Sequence, residues 1–186
     1  MYGPDQEHFS VVDVPGIFRK TTEGITTRAD KETVEAMVRR YMENPRSIIL
    51  AVIPANVDIA TQEILTMAEE VDEDGHRTLG VLTKPDLVDK GAESPVIALL
   101  EGQRHKLTLG WCMVRNPGQI QLDSSSFDRG AIETAFFRDC PPWNTLEKDR
   151  VGIGSLRLRL QEILASNIRR EFPKVCGTVP GNIKQY

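Results

Sequence analysis

A chain of 186 residues, 40% of them hydrophobic, has the size and composition of one folded domain with a single core. Its formal net charge of −4 and its sequence pI of about 5.5 argue against a nucleic-acid-binding protein, which favours a basic surface. The longest apolar run, residues 48–55, is too short to cross a bilayer, and three widely spaced cysteines form neither a disulfide framework nor a zinc pattern. We therefore expect a cytoplasmic protein.

The predicted elements alternate between strands and helices along the chain. Apolar β-branched runs predict the strands, and apolar residues at a spacing of three to four predict amphipathic helices. In chain order, the pattern predicts a strand at 9–12, a helix at 30–43, a strand at 47–53, a helix at 61–71, a strand at 78–83, a helix at 95–107, a strand at 109–115, and helices at 131–139 and 155–172. The strand at 47–53 is apolar throughout, so we expect it to be buried on both faces of the sheet.

This alternation predicts an α/β fold with an open, mostly parallel sheet flanked by helices. A turn signal at residues 3–6 precedes the first strand, so the chain is expected to begin inside a connection and to be truncated at its N-terminus. Such sheets bind ligands at the carboxyl ends of their strands. Polar motifs that directly follow the predicted strands are therefore the candidates for function.

The first motif, Asp13-Val14-Pro15-Gly16, follows the strand at 9–12. In nucleotide triphosphatases a carboxylate at a strand end holds Mg²⁺, and a glycine lets a backbone N–H approach the γ-phosphate. We predict Asp13 as a metal ligand, and Pro15 and Gly16 as nucleotide contacts. Taken alone, the short pattern D-x-x-G is more often an ordinary turn at the end of a strand.

The second motif, Thr83-Lys84-Pro85-Asp86, is more specific. Guanine presents N1–H and its 2-amino group as two parallel donors, and the Asp86 carboxylate can accept both, whereas adenine offers neither. The aliphatic stem of Lys84 can lie along the base while its ammonium group reaches loop carbonyls. The alternative is a solvated loop that carries lysine and aspartate.

The third candidate follows the strand at 109–115, where Arg115 or Asn116 could pack over or hydrogen-bond the base or the ribose. By itself this sequence is simply a turn. The order of the three motifs, each directly after a predicted strand, favours one shared nucleotide site. The loop that cradles phosphates in such sites, G-x-x-x-x-G-K followed by Ser or Thr, does not occur among the 186 residues.

On these motifs the chain resembles the dynamin superfamily, in particular the Mx-like and fungal dynamin-type large GTPases. The resemblance is carried by residues 3–5, 12–17, 49–52, 56, 58–60, 77–86, 110–116 and 167–173. It implies a P-loop-GTPase-like fold, with the C-terminal part of a G domain over residues 1–150. It also implies a terminal helix over residues 151–186 that leads toward a helical bundle.

The resemblance implies GTP or GDP and Mg²⁺ as ligands, with switch II at Asp13 and Gly16. It implies that Thr83, Lys84 and Asp86 read guanine. Arg115 and Asn116 would form the third base-side motif. No residue is assigned a catalytic role, because the family takes catalytic help from the phosphate loop. Losing three or four charge-assisted hydrogen bonds to phosphate costs on the order of 5–10 kcal/mol, so we expect weak GTP binding and no measurable hydrolysis.

The resemblance further implies self-assembly or association with other dynamin-like chains, and a role in membrane remodelling, organelle fission or trafficking. Contacts with membranes or microtubules would lie in family segments outside this sequence. Two other functions stay open. A non-catalytic interaction module would use the GTPase surface and the last helix for docking. An unrelated α/β enzyme would use Asp13 and Asp86 as a metal pair, although no histidine joins them in the sequence pattern.

Overall fold

The structure, a computed structural model, describes residues 11–14, 27–118 and 128–178. Three parallel strands form a sheet in the order β1-β2-β3, and helices cover both faces. The strands are β1 (Ile49–Pro54), β2 (Thr78–Thr83) and β3 (Trp111–Met113), and the helices are α1 (Arg28–Met42), α2 (Glu63–Val71), α3 (Ser94–Leu100), α4 (Arg129–Asp139) and α5 (Gly152–Thr178). The predicted open, parallel α/β fold is confirmed.

The two faces of the sheet bury different apolar clusters. On one face, side chains of β2 and β3 such as Leu82 and Trp111 pack with Leu100 of α3 and with Trp143. On the other face, the cluster comprises Leu79, Val81, Cys112, Val114, Leu156 and Ile163, so α5 packs against β2 and β3. A third cluster joins α1 and α2 to the start of β1. Because apolar burial is the main driving force for folding, these three clusters fix the positions of the strand ends.

Two predictions about the strands are wrong. Of the predicted strand at 9–12, residues 9 and 10 lie outside the described part, and Val11 and Val12 are exposed and not in a strand. The strand β1 is not buried on both faces, since Leu50 is 41% and Val52 is 52% exposed. On this face α5 packs against β2 and β3 and leaves these two side chains of β1 exposed. The apolar pattern of β1 alone does not reveal which strands a distant helix covers.

Two helix ends also differ from the prediction. The helix α5 continues to Thr178, past Pro173, where the predicted helix ends. A proline inside a helix removes one N–H donor and its ring clashes with the carbonyl four residues earlier, which is why the sequence predicts an end there, yet the helical backbone continues past it. The helix α3 ends at Leu100 and not at residue 107, because Gly102 (φ 73°) and His105 (φ 41°) adopt left-handed backbone conformations. In the described part of the chain, no helix combines the length and the apolar character needed to cross a bilayer.

The cysteines Cys112 and Cys140 differ in access, and this gives a first prediction. Cys112 is buried, and this burial raises the pKa of its thiol, whereas Cys140 is half-buried. Less Cys112 is therefore thiolate at any given pH, and reagents reach it only when the fold opens. We expect the rate at which N-ethylmaleimide modifies Cys112 at pH 8 to be lower than the rate for Cys140 by roughly tenfold or more, as measured by peptide mass spectrometry. In urea the two rates should converge. Equal rates in the folded protein would contradict this prediction.

Candidate functional site

The end of β2 turns sharply after Thr83. Lys84 has φ 55° and ψ 47°, a left-handed conformation that costs a non-glycine residue about 1–2 kcal/mol. A 3₁₀ turn, Pro85–Leu87, follows, and the Leu87 N–H donates to the Lys84 carbonyl at 3.1 Å. Pro85 is buried while Lys84 and Asp86 are exposed. The strained turn therefore presents the lysine and the aspartate on the surface at the carboxyl end of the sheet.

Thr83 has a different position from its neighbours in the motif. Its side chain is buried, and the hydroxyl donates to the Ile53 carbonyl at 3.4 Å. The Thr83 carbonyl in turn accepts the Ala55 N–H at 2.7 Å. Thr83 thus joins the ends of β1 and β2 beneath the turn.

Asp86 and Arg115 face each other across the ends of β2 and β3. The Arg115 Nη2 atom lies 3.7 Å from Asp86 Oδ2, and the two side chains are 13% and 30% exposed. This distance is longer than an N–H···O hydrogen bond, so the arginine charge faces the carboxylate without occupying its acceptor positions. The guanidinium carbon also lies 5.2 Å from the centre of the Phe136 ring, within the range of a cation–π contact. In the described part of the chain, Arg115 Nε is buried without a hydrogen-bond partner.

The main chain at Arg115 is held by a glutamate that sequence analysis missed. Glu133 of α4 is 5% exposed, and its Oε1 accepts the Arg115 N–H at 2.8 Å. Its Oε2 accepts the Ile153 N–H, at the start of α5, also at 2.8 Å. The local sequence pattern assigns Glu133 to a predicted helix but does not single it out from the other residues of that helix.

The remaining predicted residues are less closely connected. Asn116 is exposed, and its Oδ1 accepts a hydrogen bond from Arg129 Nη2 at 2.6 Å. Asp13 is exposed, and Pro15 and Gly16 lie outside the described residues. The structure therefore brings together Asp86 and Arg115, with Thr83 and Lys84 in the turn before the aspartate and Asn116 directly after the arginine.

The described residues do not form a metal site by themselves. No group of three or more His, Cys, Asp or Glu side chains that could hold a metal ion occurs among them. Mg²⁺ in nucleotide sites is usually held by one or two carboxylates together with phosphate oxygens and water. Asp13 alone supplies a single exposed carboxylate, so the chemistry below is derived without a metal.

Comparisons with known proteins agree over nearly the whole chain. The sequence model of the dynamin family matches residues 1–85, and that of the dynamin central region matches residues 95–186. The chain is 36% identical over 185 residues to the interferon-induced GTP-binding protein Mx of Epinephelus coioides, covering 98% of this chain and 29% of that protein. It is 37% identical over 175 residues to Mx2 of Oncorhynchus mykiss, covering 92% and 27%, and 35% identical over 173 residues to Mx2 of Bos taurus, covering 91% and 24%. The chain therefore spans less than a third of the length of these relatives.

Proposed function

The chain belongs to the dynamin superfamily, and we propose that it carries the guanine-reading half of a GTPase nucleotide site. The observation that carries this proposal is the Asp86 carboxylate, which is partly exposed at the end of β2 and faces Arg115 at 3.7 Å. Its acceptor positions match the N1–H and 2-amino donors of guanine. Adenine presents no such pair of donors, so the site selects the base by hydrogen bonding.

Each neighbour of Asp86 has a separate role in this proposal. The exposed Lys84 lays its aliphatic stem along the base, while buried Thr83 holds the end of β2 against β1. Arg115, which follows β3, faces Asp86 and orients its carboxylate for the base. Asn116 lies beside the base or the ribose, with its amide oxygen held by Arg129.

We propose GTP and GDP as the ligands of the family's complete site. In that site Asp13 and the phosphates would hold Mg²⁺. The relatives are GTP-binding proteins by name, which supports this choice. We further propose self-association or association with other dynamin-like chains, and a cytoplasmic role in membrane remodelling, fission or trafficking. Because the phosphate-cradling sequence is absent from the 186 residues, we propose that this chain by itself hydrolyses no GTP.

A nucleotide titration followed by NMR tests the proposal. The ligands are GMP and AMP, which differ in the base and need no triphosphate cradle. We expect GMP at about 1 mM to shift the amide resonances of Lys84, Asp86, Leu87, Arg115, Asn116 and Gly118, because two charge-assisted hydrogen bonds contribute only about 3–6 kcal/mol. AMP should leave them unchanged, and GTP should bind within about threefold of GMP because the chain lacks the phosphate-cradling sequence.

Equal shifts with GMP and AMP would overturn base recognition, and GTP binding much tighter than GMP would overturn the expected weak phosphate binding.

A second function, that of a non-catalytic interaction module, has one observation in its favour. That observation is the exposure of Leu158 and Ile168 of α5, 64% and 53%, which a docked partner would cover. A folded chain that binds no guanine nucleotide and co-purifies with an intact dynamin-like protein would support this second function.

A further inference from the structure

A buried carboxylate lies directly behind the proposed base site. Both oxygens of Glu133 accept backbone N–H donors at 2.8 Å, from Arg115 and from Ile153. A carboxylate is costly to bury unless its oxygens are hydrogen-bonded, and the N-terminus of the long helix α5 adds a favourable dipole. The hydrogen bonds explain how Glu133 is tolerated at 5% exposure, and they show which backbone segments it holds.

The side chain of Arg115 has few directional contacts of its own. It faces Asp86 at 3.7 Å and the Phe136 ring at 5.2 Å, and its Nε has no hydrogen-bond partner in the described part of the chain. The position of the guanidinium group is therefore set mainly by the position of the Arg115 main chain. Glu133 fixes that main chain, and Phe136 of the same helix contacts the side chain, so α4 holds the arginine at both ends.

We propose that Glu133 is a positioning residue for guanine recognition, which holds the Arg115 backbone so that the guanidinium group faces Asp86. This inference rests on the proposed base site. Neighbouring backbone hydrogen bonds do not depend on Glu133. The Met113 N–H donates to the Arg150 carbonyl and the Val114 N–H to the Leu82 carbonyl, both at 2.8 Å. Loss of the carboxylate should therefore displace Arg115, whereas β3 and the segment at Arg150 that precedes α5 should keep their positions.

The substitution Glu133→Gln tests this role because it keeps the size of the side chain. An amide has one acceptor oxygen and presents an NH₂ group on the other side, so it cannot accept both N–H donors. We expect the dissociation constant for GMP, measured by NMR titration, to rise about tenfold. Leu65→Ala, a core substitution in α2, is the control that lowers stability and should leave the GMP dissociation constant within twofold.

A double-mutant cycle separates positioning from a general loss of structure. If Glu133 acts through Arg115, then in the Arg115→Met background Glu133→Gln should change GMP affinity by less than twofold. Two independent, additive losses would overturn the inference, as would an unchanged affinity in Glu133→Gln. If wild-type protein itself fails to distinguish GMP from AMP, the proposed base site fails and not only this inference.

A measurement on wild-type protein keeps the inference testable if Glu133→Gln does not fold. Binding of GMP should slow hydrogen exchange of the Arg115 amide, because a bound base restrains Asp86, Arg115 and the main chain that Glu133 holds. We expect at least a threefold slowing at saturating GMP and none with AMP. Unchanged exchange of the Arg115 amide at saturating GMP would overturn the inference.

Discussion

Asp86→Asn should abolish the preference of this chain for guanine. The carboxylate can accept hydrogen bonds from N1–H and the 2-amino group together. The amide of asparagine has only one acceptor oxygen, so its NH₂ group would face the 2-amino group, donor against donor. Two charge-assisted hydrogen bonds are lost or reversed, each contributing about 1.5–3 kcal/mol, so GMP affinity should fall about 100-fold or more. In the GMP titration followed by NMR, the variant should therefore show no shifts at the concentration of about 1 mM at which the wild-type protein responds.

A change of ligand distinguishes altered recognition from misfolding. Xanthine carries a carbonyl oxygen where guanine carries its 2-amino group, so the amide of the Asp86→Asn variant can pair with it as donor and acceptor. Xanthosine monophosphate should therefore bind the variant more tightly than GMP does. Asp89→Asn removes the same charge from an exposed position three residues away and should change neither affinity. Equal losses in the two variants would point to a general effect of charge and contradict base recognition by Asp86.

The parts of this site that the sequence predicts are those encoded in short segments. The strand β2 has the predicted bounds, because a short apolar run followed by Lys84-Pro85-Asp86 marks both a buried strand and its end. Parallel pairing of β2 with β3 then brings Arg115 near Asp86, as expected for motifs at neighbouring strand ends. The pairing of these two side chains follows from the topology.

The parts that the sequence does not predict depend on distant segments. Glu133 is assigned only to a helix by its local pattern, and its two partners lie 18 and 20 residues away along the chain. The exposure of Leu50 and Val52 depends on where α5 packs, and this helix lies about a hundred residues further along the chain. Local periodicity identifies apolar faces, but it does not identify which neighbour covers them.

Gly80→Ala should be strongly destabilising. Gly80 of β2 pairs with Ala51 of β1 and with Trp111 of β3. A Cβ atom at this position would lie 2.1 Å from Trp111 Cε3 and 2.4 Å from its Cδ2. The indole is 2% exposed and donates from Nε1 to the His105 carbonyl at 2.9 Å, so it has little freedom to move. We expect a loss of about 3 kcal/mol or more in the free energy of unfolding.

Gly154→Ala in α5 is the matched control, because apart from its own chain neighbours and helix backbone no heavy atom lies within 4 Å of the added Cβ. Alanine should stabilise this helix position by about 0.5–1 kcal/mol, and urea unfolding followed by circular dichroism measures both variants. Equal stabilities would show that β2 and β3 can move apart without cost. The expected difference would instead show that close contact between Gly80 and Trp111 sets the spacing of the strands that carry Asp86 and Arg115. The base site would then depend on a packed core in which one added methyl group is not accommodated.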